Sequence, residues 1–306
     1  MDIGGNPSAV YDRVTGKLVL QFVRGLRHKK TQSQTCNPAL SNWQQESLDG
    51  GLTWTSPVEI SKYLEPWTGS LVGPANGIQL ESGRLVFCGH YGVYNSTQVW
   101  YSDDHGKTYS LSETVFPYMD ECTLAAVPGT NNTVYLNMRN NHFPNYRNHT
   151  SCDCRAFAIS DNGGQSFGKI QFDPTLVSPV CQATLSTAGG ALLFANPAST
   201  NTRTHGLIRK SVDRGLTWSR QLEITPYAES VQDGEKVRGG EWVQGGEEVV
   251  RGKGGEWPGR GGSYDYSCLV PDAMRDDPSV GGLLWSHLSF GSKKWLVLFT
   301  RFPLEF

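Results

Sequence analysis

The sequence is short of charge and of long apolar runs. No apolar stretch in its 306 residues approaches the roughly 18 to 20 that a membrane helix needs, so no transmembrane segment is expected. Charged residues make up only 18%, and 27 Lys+Arg stand against 29 Asp+Glu, a formal net charge of −2. Without a basic excess, the balance argues against nucleic acid or an anionic membrane surface as the main partner. So little charge also argues against a charged disordered chain. The seven cysteines include no Cys-x-x-Cys pair, and Cys152 and Cys154 are separated by a single residue, which suits neither a zinc ribbon nor a thioredoxin motif. Mostly buried thiols with one or two disulfides are expected. His90, His142 and His205 are scattered without ligand spacing, so no metal site is expected. No Gly-rich phosphate loop opens a helix, and no cofactor is implied. Met1-Asp2-Ile3-Gly4-Gly5 has neither a basic nor an apolar leader region, so no signal peptide is expected as written.

What is abundant is glycine and aromatic residues. Gly 35, Trp 9, Tyr 12 and Phe 12 point to many tight turns and aromatic-bearing strands. A repeat organises them. Ser47-Leu48-Asp49-Gly50-Gly51-Leu52-Thr53-Trp54 recurs as Ser102–Tyr109, Ser160–Phe167 and Ser211–Trp218. The common form is S-x-D-x-G-x-[T/S]-aromatic, with Asn162 in place of Asp in the third copy. The Asp or Asn side chain accepts backbone N–H groups within a hairpin turn, and the Gly supplies positive φ. The terminal aromatic is expected to pack under the turn. The starts are 55, 58 and 51 residues apart, a period that fits one four-stranded propeller blade.

Leu18–Val23, Arg84–Cys88, Thr133–Met138 and Ala191–Ala195 read as strands, as do Gly282–Trp285 and Trp295–Phe299. No amphipathic helix longer than about two turns is expected. The repeat is the Asp-box, a strong sign of a β-propeller but a weak sign of function, because the boxes lie on the outer rim.

Residues 229–262 break the pattern. Eleven of these 34 residues are Gly, with no Leu, Ile or Phe, and Gly-Glu-Trp repeats at 240–242 and 255–257. Such a segment cannot bury enough apolar surface to order itself. It reads as a flexible insertion in a single domain spanning 1–306, or as translated non-coding sequence.

The search for a cationic pocket, a base and a nucleophile singles out three regions. Asp120-Glu121-Cys122 lies before a predicted strand whose end carries Arg139-Asn140. Arg203 precedes the fourth Asp-box. Ser263-Tyr264-Asp265-Tyr266-Ser267 follows the insertion. These stretches, with Gly73–Gln79, Arg84–His90 and the box Ser102–Gly106, occur in the order of the exo-α-sialidase family. The chain resembles its animal lysosomal and cytosolic type from about residue 2 to 226 and again around 263 to 270.

The resemblance implies an all-β, six-bladed propeller and a sialylated glycan substrate. Three family arginines grip the substrate carboxylate; Arg139 resembles the second and Arg203 the third, with Arg209 a rival. A planar guanidinium suits a carboxylate through two parallel charge-assisted bonds. Tyr266 resembles the nucleophile, with Tyr264 a rival, and Glu121 resembles its carboxylate partner. A phenol, with a pKa of about 10, needs such a base, and a neutral nucleophile avoids repulsion from the substrate carboxylate.

The family's Arg-Ile-Pro motif, which supplies the first arginine, and the general-acid aspartate that follows it have no match here. Met1 falls where the second blade begins, so the first blade is expected to be missing from this chain. The expected function is hydrolysis of terminal α-linked sialic acids from glycoproteins, glycolipids and oligosaccharides. The alternatives are an impaired propeller that only binds sialoglycans and an Asp-box propeller that binds proteins. The sequons Asn95-Ser96-Thr97, Asn131-Asn132-Thr133 and Asn148-His149-Thr150, with the family's lysosomal members, favour a lumenal site; the missing signal leaves the cytoplasm open.

Overall fold

Short β-branched and aromatic runs separated by Gly-containing turns build a series of meanders. The computed structural model describes residues 2–26, 40–65, 70–91, 96–140, 152–218, 220–224, 263–270, 279–289 and 294–306. The insertion at 229–262, His142 and two sequon asparagines, Asn95 and Asn148, lie outside them.

Among the described residues, twenty strands form five antiparallel sheets. The first blade is β1 (Asp2–Asp12), β2 (Lys17–Leu26), β3 (Ser41–Ser47) and β4 (Val58–Glu59). The second has β5 (Ser70–Val72), β6 (Ile78–Gln79), β7 (Leu85–Tyr91), β8 (Ser96–Ser102) and β9 (Ser110–Pro117), with β5 and β6 both pairing with β7. The third is β10 (Met119–Ala126), β11 (Val134–Asn140), β12 (Cys154–Ser160) and β13 (Gln171–Val177). The fourth is β14 (Thr184–Ala188), β15 (Ala191–Pro197), β16 (Gly206–Ser211) and β17 (Arg220–Ile224). The fifth has β18 (Ser267–Val270), β19 (Val280–Ser289) and β20 (Lys294–Pro303). A single 3-10 turn, Ser61–Leu64, is the only helical element among the described residues. The fold is an all-β propeller with five blades, each made from neighbouring strands.

Every Asp-box joins the third and fourth strands of its meander. In the first, Gly51 N donates to Ser47 Oγ at 2.8 Å and Thr53 N to Asp49 Oδ1 at 2.8 Å. In the third, Asn162 Oδ1 accepts Ser166 N at 2.9 Å and its Nδ2 donates to Ser166 Oγ, so the amide reproduces the turn. The expected aromatic packing holds for Tyr109 and Trp218, which are buried. Trp54 differs: it is 38% exposed and its Nε1 donates to Gly51 O.

Four apolar clusters fill the four seams between successive blades. Leu85, Phe87 and Trp100 meet Val10 and Val19 in the first seam. Leu124, Leu136 and Met138 meet Val86 and Val99 in the second. Tyr135 meets Phe194 and Trp218 in the third, and Leu193 and Ile208 meet Tyr264 and Trp285 in the fourth. Among the described residues Cys88 of β7 is bonded to Cys122 of β10 in the second seam and Cys152 to Cys154, so the one or two disulfides are met but the expected majority of free thiols is not. Cys181 and Cys268 are free thiols.

Candidate active site

Asp120 and Glu121 precede the strand predicted at Thr133–Met138, which is β11, and themselves lie within a strand the sequence did not mark, β10. Consecutive strand residues ordinarily point to opposite faces. Here the register slips: Met119 pairs with Asn140 but Cys122 with Met138, so β10 carries one extra residue. This bulge lets both adjacent carboxylates reach one guanidinium. Arg139 near the end of β11 has Nη1 2.5 Å from Glu121 Oε2 and Nε 3.1 Å from Asp120 Oδ2. Behind Asp120, His90 of β7 has Nδ1 3.2 Å from Asp120 Oδ1.

Tyr266 enters from the segment leading into β18, and its hydroxyl donates to Glu121 Oε1. Its backbone is clamped to β19: Tyr266 N donates to Ser286 Oγ at 3.0 Å and Ser286 N donates to Tyr266 O at 2.8 Å. Arg203 lies between β15 and β16. Its Nη1 donates to Asp265 Oδ1 at 3.1 Å and its Nη2 to Val180 O at 3.0 Å. Its guanidinium carbon sits 5.8 Å from the centre of the Tyr266 ring, and its carbonyl accepts Tyr264 N at 2.7 Å. The four residues singled out by sequence, Glu121, Arg139, Arg203 and Tyr266, thus converge from three blades. The two rivals lie elsewhere. Tyr264 is fully buried and stacks on Trp285. Arg209 is buried within the fourth blade, with Nη1 2.8 Å from Asn196 Oδ1.

Burial followed by the Glu121 charge pushes the Tyr266 phenol well above its ordinary value, so it rests protonated. Burial works against the Arg139 charge, but Glu121 and Asp120 outweigh it and hold the guanidinium firmly protonated. Burial raises the Asp120 carboxyl, opposed by His90 and Arg139. A further buried arginine, Arg155 of β12, has Nε 2.7 Å from Asn137 Oδ1 and Nη1 2.9 Å from Cys181 O. Burial, then Arg139, brings it down to about 9. Burial pushes the Cys181 thiol up to about 12, leaving it protonated and unreactive.

Sequence reasoning missed the parts that hold this cluster together. Asp120 was masked by strand alternation, since a bulge leaves no mark in composition. Asp265 stood in plain view between the two tyrosines. Arg155 had a weak signal, an arginine inside the otherwise apolar run Cys154–Ile159. Gln182 is central as well. Its Nε2 donates to Pro74 O at 3.0 Å and Ser267 O at 2.9 Å, and its Oε1 accepts Ser267 N at 2.9 Å, joining the second, fourth and fifth blades.

This fold and cluster define the class, a BNR-repeat propeller with a Tyr–Glu–Arg centre. The BNR repeat-like domain family matches residues 2–273, and the chain belongs to the BNR-repeat sialidase family. It is 31% identical to a sialidase of Micromonospora viridifaciens over 239 residues, which are 70% of this chain and 35% of the relative. It is 32% identical to human Sialidase-4 over 186 residues, 53% of this chain and 36% of that protein. The chain thus spans little more than a third of the length of these relatives. Among solved structures, Hadza microbial sialidase Hz136 superposes with a TM-score of 0.72 at 23% identity, covering 99% of this chain and 53% of that one. The leech intramolecular trans-sialidase gives a TM-score of 0.68 at 14% identity, covering 99% and 56%.

Proposed function

We propose that the protein is a retaining exo-α-sialidase acting on terminal α-linked sialic acids of glycoproteins, glycolipids and oligosaccharides. The observation that carries this reading is the Tyr266 hydroxyl bonded to Glu121, which is itself ion-paired to Arg139. In this reading Arg139 and Arg203 hold the substrate carboxylate. The Tyr266 oxygen attacks the anomeric carbon, Glu121 Oε1 takes the phenolic proton, and the aglycone leaves as an anion that solvent protonates. Water then attacks the same carbon and loses a proton to solvent, while Glu121 gives its proton back to the departing Tyr266 phenolate. The sialidase resemblance implies a ring of six blades, of which the described residues form five.

The family's acid aspartate and first arginine have no match here, and general acid assistance is worth roughly 10²- to 10⁴-fold. An aryl sialoside, whose phenolate departs without protonation, is therefore the substrate of choice. The full chain should release the phenol, and Tyr266→Phe should abolish release. Equal rates in the two proteins would overturn the assignment. Saturable binding of sialic acid without release would favour the sialoglycan-binding propeller that the missing acid suggests.

A further inference from the structure

Arg139 is held by more than its Glu121 partner. Asp120 is fully buried, and its two oxygens face in different directions, one 3.1 Å from Arg139 Nε and the other 3.2 Å from His90 Nδ1. His90 is buried too, on β7 of the preceding blade, and the Asp120 backbone carbonyl accepts the Thr97 hydroxyl from β8 of the same blade. The backbone beside Asp120 is tied further by Cys122, bonded to Cys88 two residues before His90. A guanidinium is planar, so ion-pair partners at both Nε and Nη1 restrict its orientation more than either alone. Removing Asp120 takes away the one at Nε.

We infer that Asp120 and His90 are positioning residues that lock the Arg139 guanidinium, and through it Glu121 and the Tyr266 hydroxyl, to the second blade. This rests on the sialidase reading only for its functional consequence; the locking is a property of the protein alone. The arrangement has a physical reason. A lone Arg139–Glu121 pair would satisfy its own charge and could swing as a unit when an anionic ligand arrives. A second buried carboxylate keeps the guanidinium in place while a ligand carboxylate competes with Glu121.

The test uses the full chain labelled with ¹⁵N-arginine, with the Arg139 Nε–H resonance assigned by its loss in Arg139→Lys. In Asp120→Asn that resonance should move and exchange faster with water. His90→Leu should produce a smaller change in the same sense, and His90→Gln, which retains an N–H donor, should restore the wild-type signal. In parallel, affinity for 2,3-didehydro-2-deoxy-N-acetylneuraminic acid should fall at least tenfold in Asp120→Asn, with His90→Gln closer to wild type than His90→Leu. An unmoved Arg139 resonance in both Asp120→Asn and His90→Leu overturns the inference. Identical behaviour of His90→Leu and His90→Gln removes His90 from it. If Asp120→Asn does not fold, the two His90 variants still decide. Absence of ligand binding by the wild-type chain counts against the sialidase reading, while the resonance still decides the positioning role.

Discussion

The Tyr266 phenol and the Glu121 carboxylate are separated by 145 positions in sequence and by one hydrogen bond in space. In the proposed mechanism, Glu121→Gln keeps the shape and removes the base. It should cost roughly 10²- to 10⁴-fold in kcat on an aryl sialoside, read by steady-state kinetics. At the same scale, the Asp-box carboxylates set an acid limit on stability. The Thr53 hydroxyl and backbone, then Ser47, bring Asp49 down to about 2. For Asp104 and Asp213 burial pulls upward, but hydrogen bonds from Thr108 and Thr217 outweigh it and leave both below the ordinary value. Carboxyls depressed in the folded state contribute stability that is whole above their unfolded pKa of about 4 and is lost as pH falls through the folded values. Thermal midpoints measured from pH 6 to 2 should therefore hold until about pH 4 and drop below it. The drop should be smaller in Asp104→Asn, since Asn162 shows that an amide can hold this turn without titrating.

Elements in this chain are joined by their turns as much as by their strands. A Cβ on Gly215, in the fourth box, would come within 2.3 Å of the Tyr135 ring in the third blade, at a φ of 85°. Gly164 of the third box lies similarly against Val86 and Val99 of the second. The second, third and fourth boxes thus fasten their blades to the one before. Gly215→Ala combines overpacking of roughly 1–3 kcal/mol with backbone strain of about 1 kcal/mol. Scanning calorimetry should show a midpoint roughly 4 to 10 °C lower. Gly50, also at positive φ in a box turn but with open space around it, meets no such ring. Gly50→Ala should therefore cost strain alone and shift the midpoint less.

The whole molecule depends on contacts that no single blade contains. Gln182 supplies three hydrogen bonds between the second, fourth and fifth blades. Gln182→Leu would leave Pro74 O, Ser267 O and Ser267 N without those partners. At about 1–3 kcal/mol for each buried polar group left unsatisfied, unfolding in urea should show a stability loss of several kcal/mol. Because Ser267 follows Tyr266, affinity for sialic acid analogues should fall in the same variant. An unchanged urea midpoint would show that water replaces the side chain at the centre.

The sequence by itself determined the blades. The S-x-D-x-G-x-[T/S]-aromatic spacing, a local matter of Asx bonding and glycine φ, marked four hairpins and with them the meanders. Near-neighbour pairing then followed, and the ordered Glu121, Arg139, Arg203 and Tyr266 motifs were readable for the same reason: each lies in a short stretch. Only the tertiary structure decided what those residues meet. The β10 bulge turned Asp120 onto the face of Glu121, the curvature of the ring set His90 behind it, and the packing of the fourth and fifth blades put Tyr264 in the core and Tyr266 at the centre. Side-chain period and propensity act over a few residues, whereas register slips and blade-to-blade contacts are fixed by packing between segments far apart in the chain.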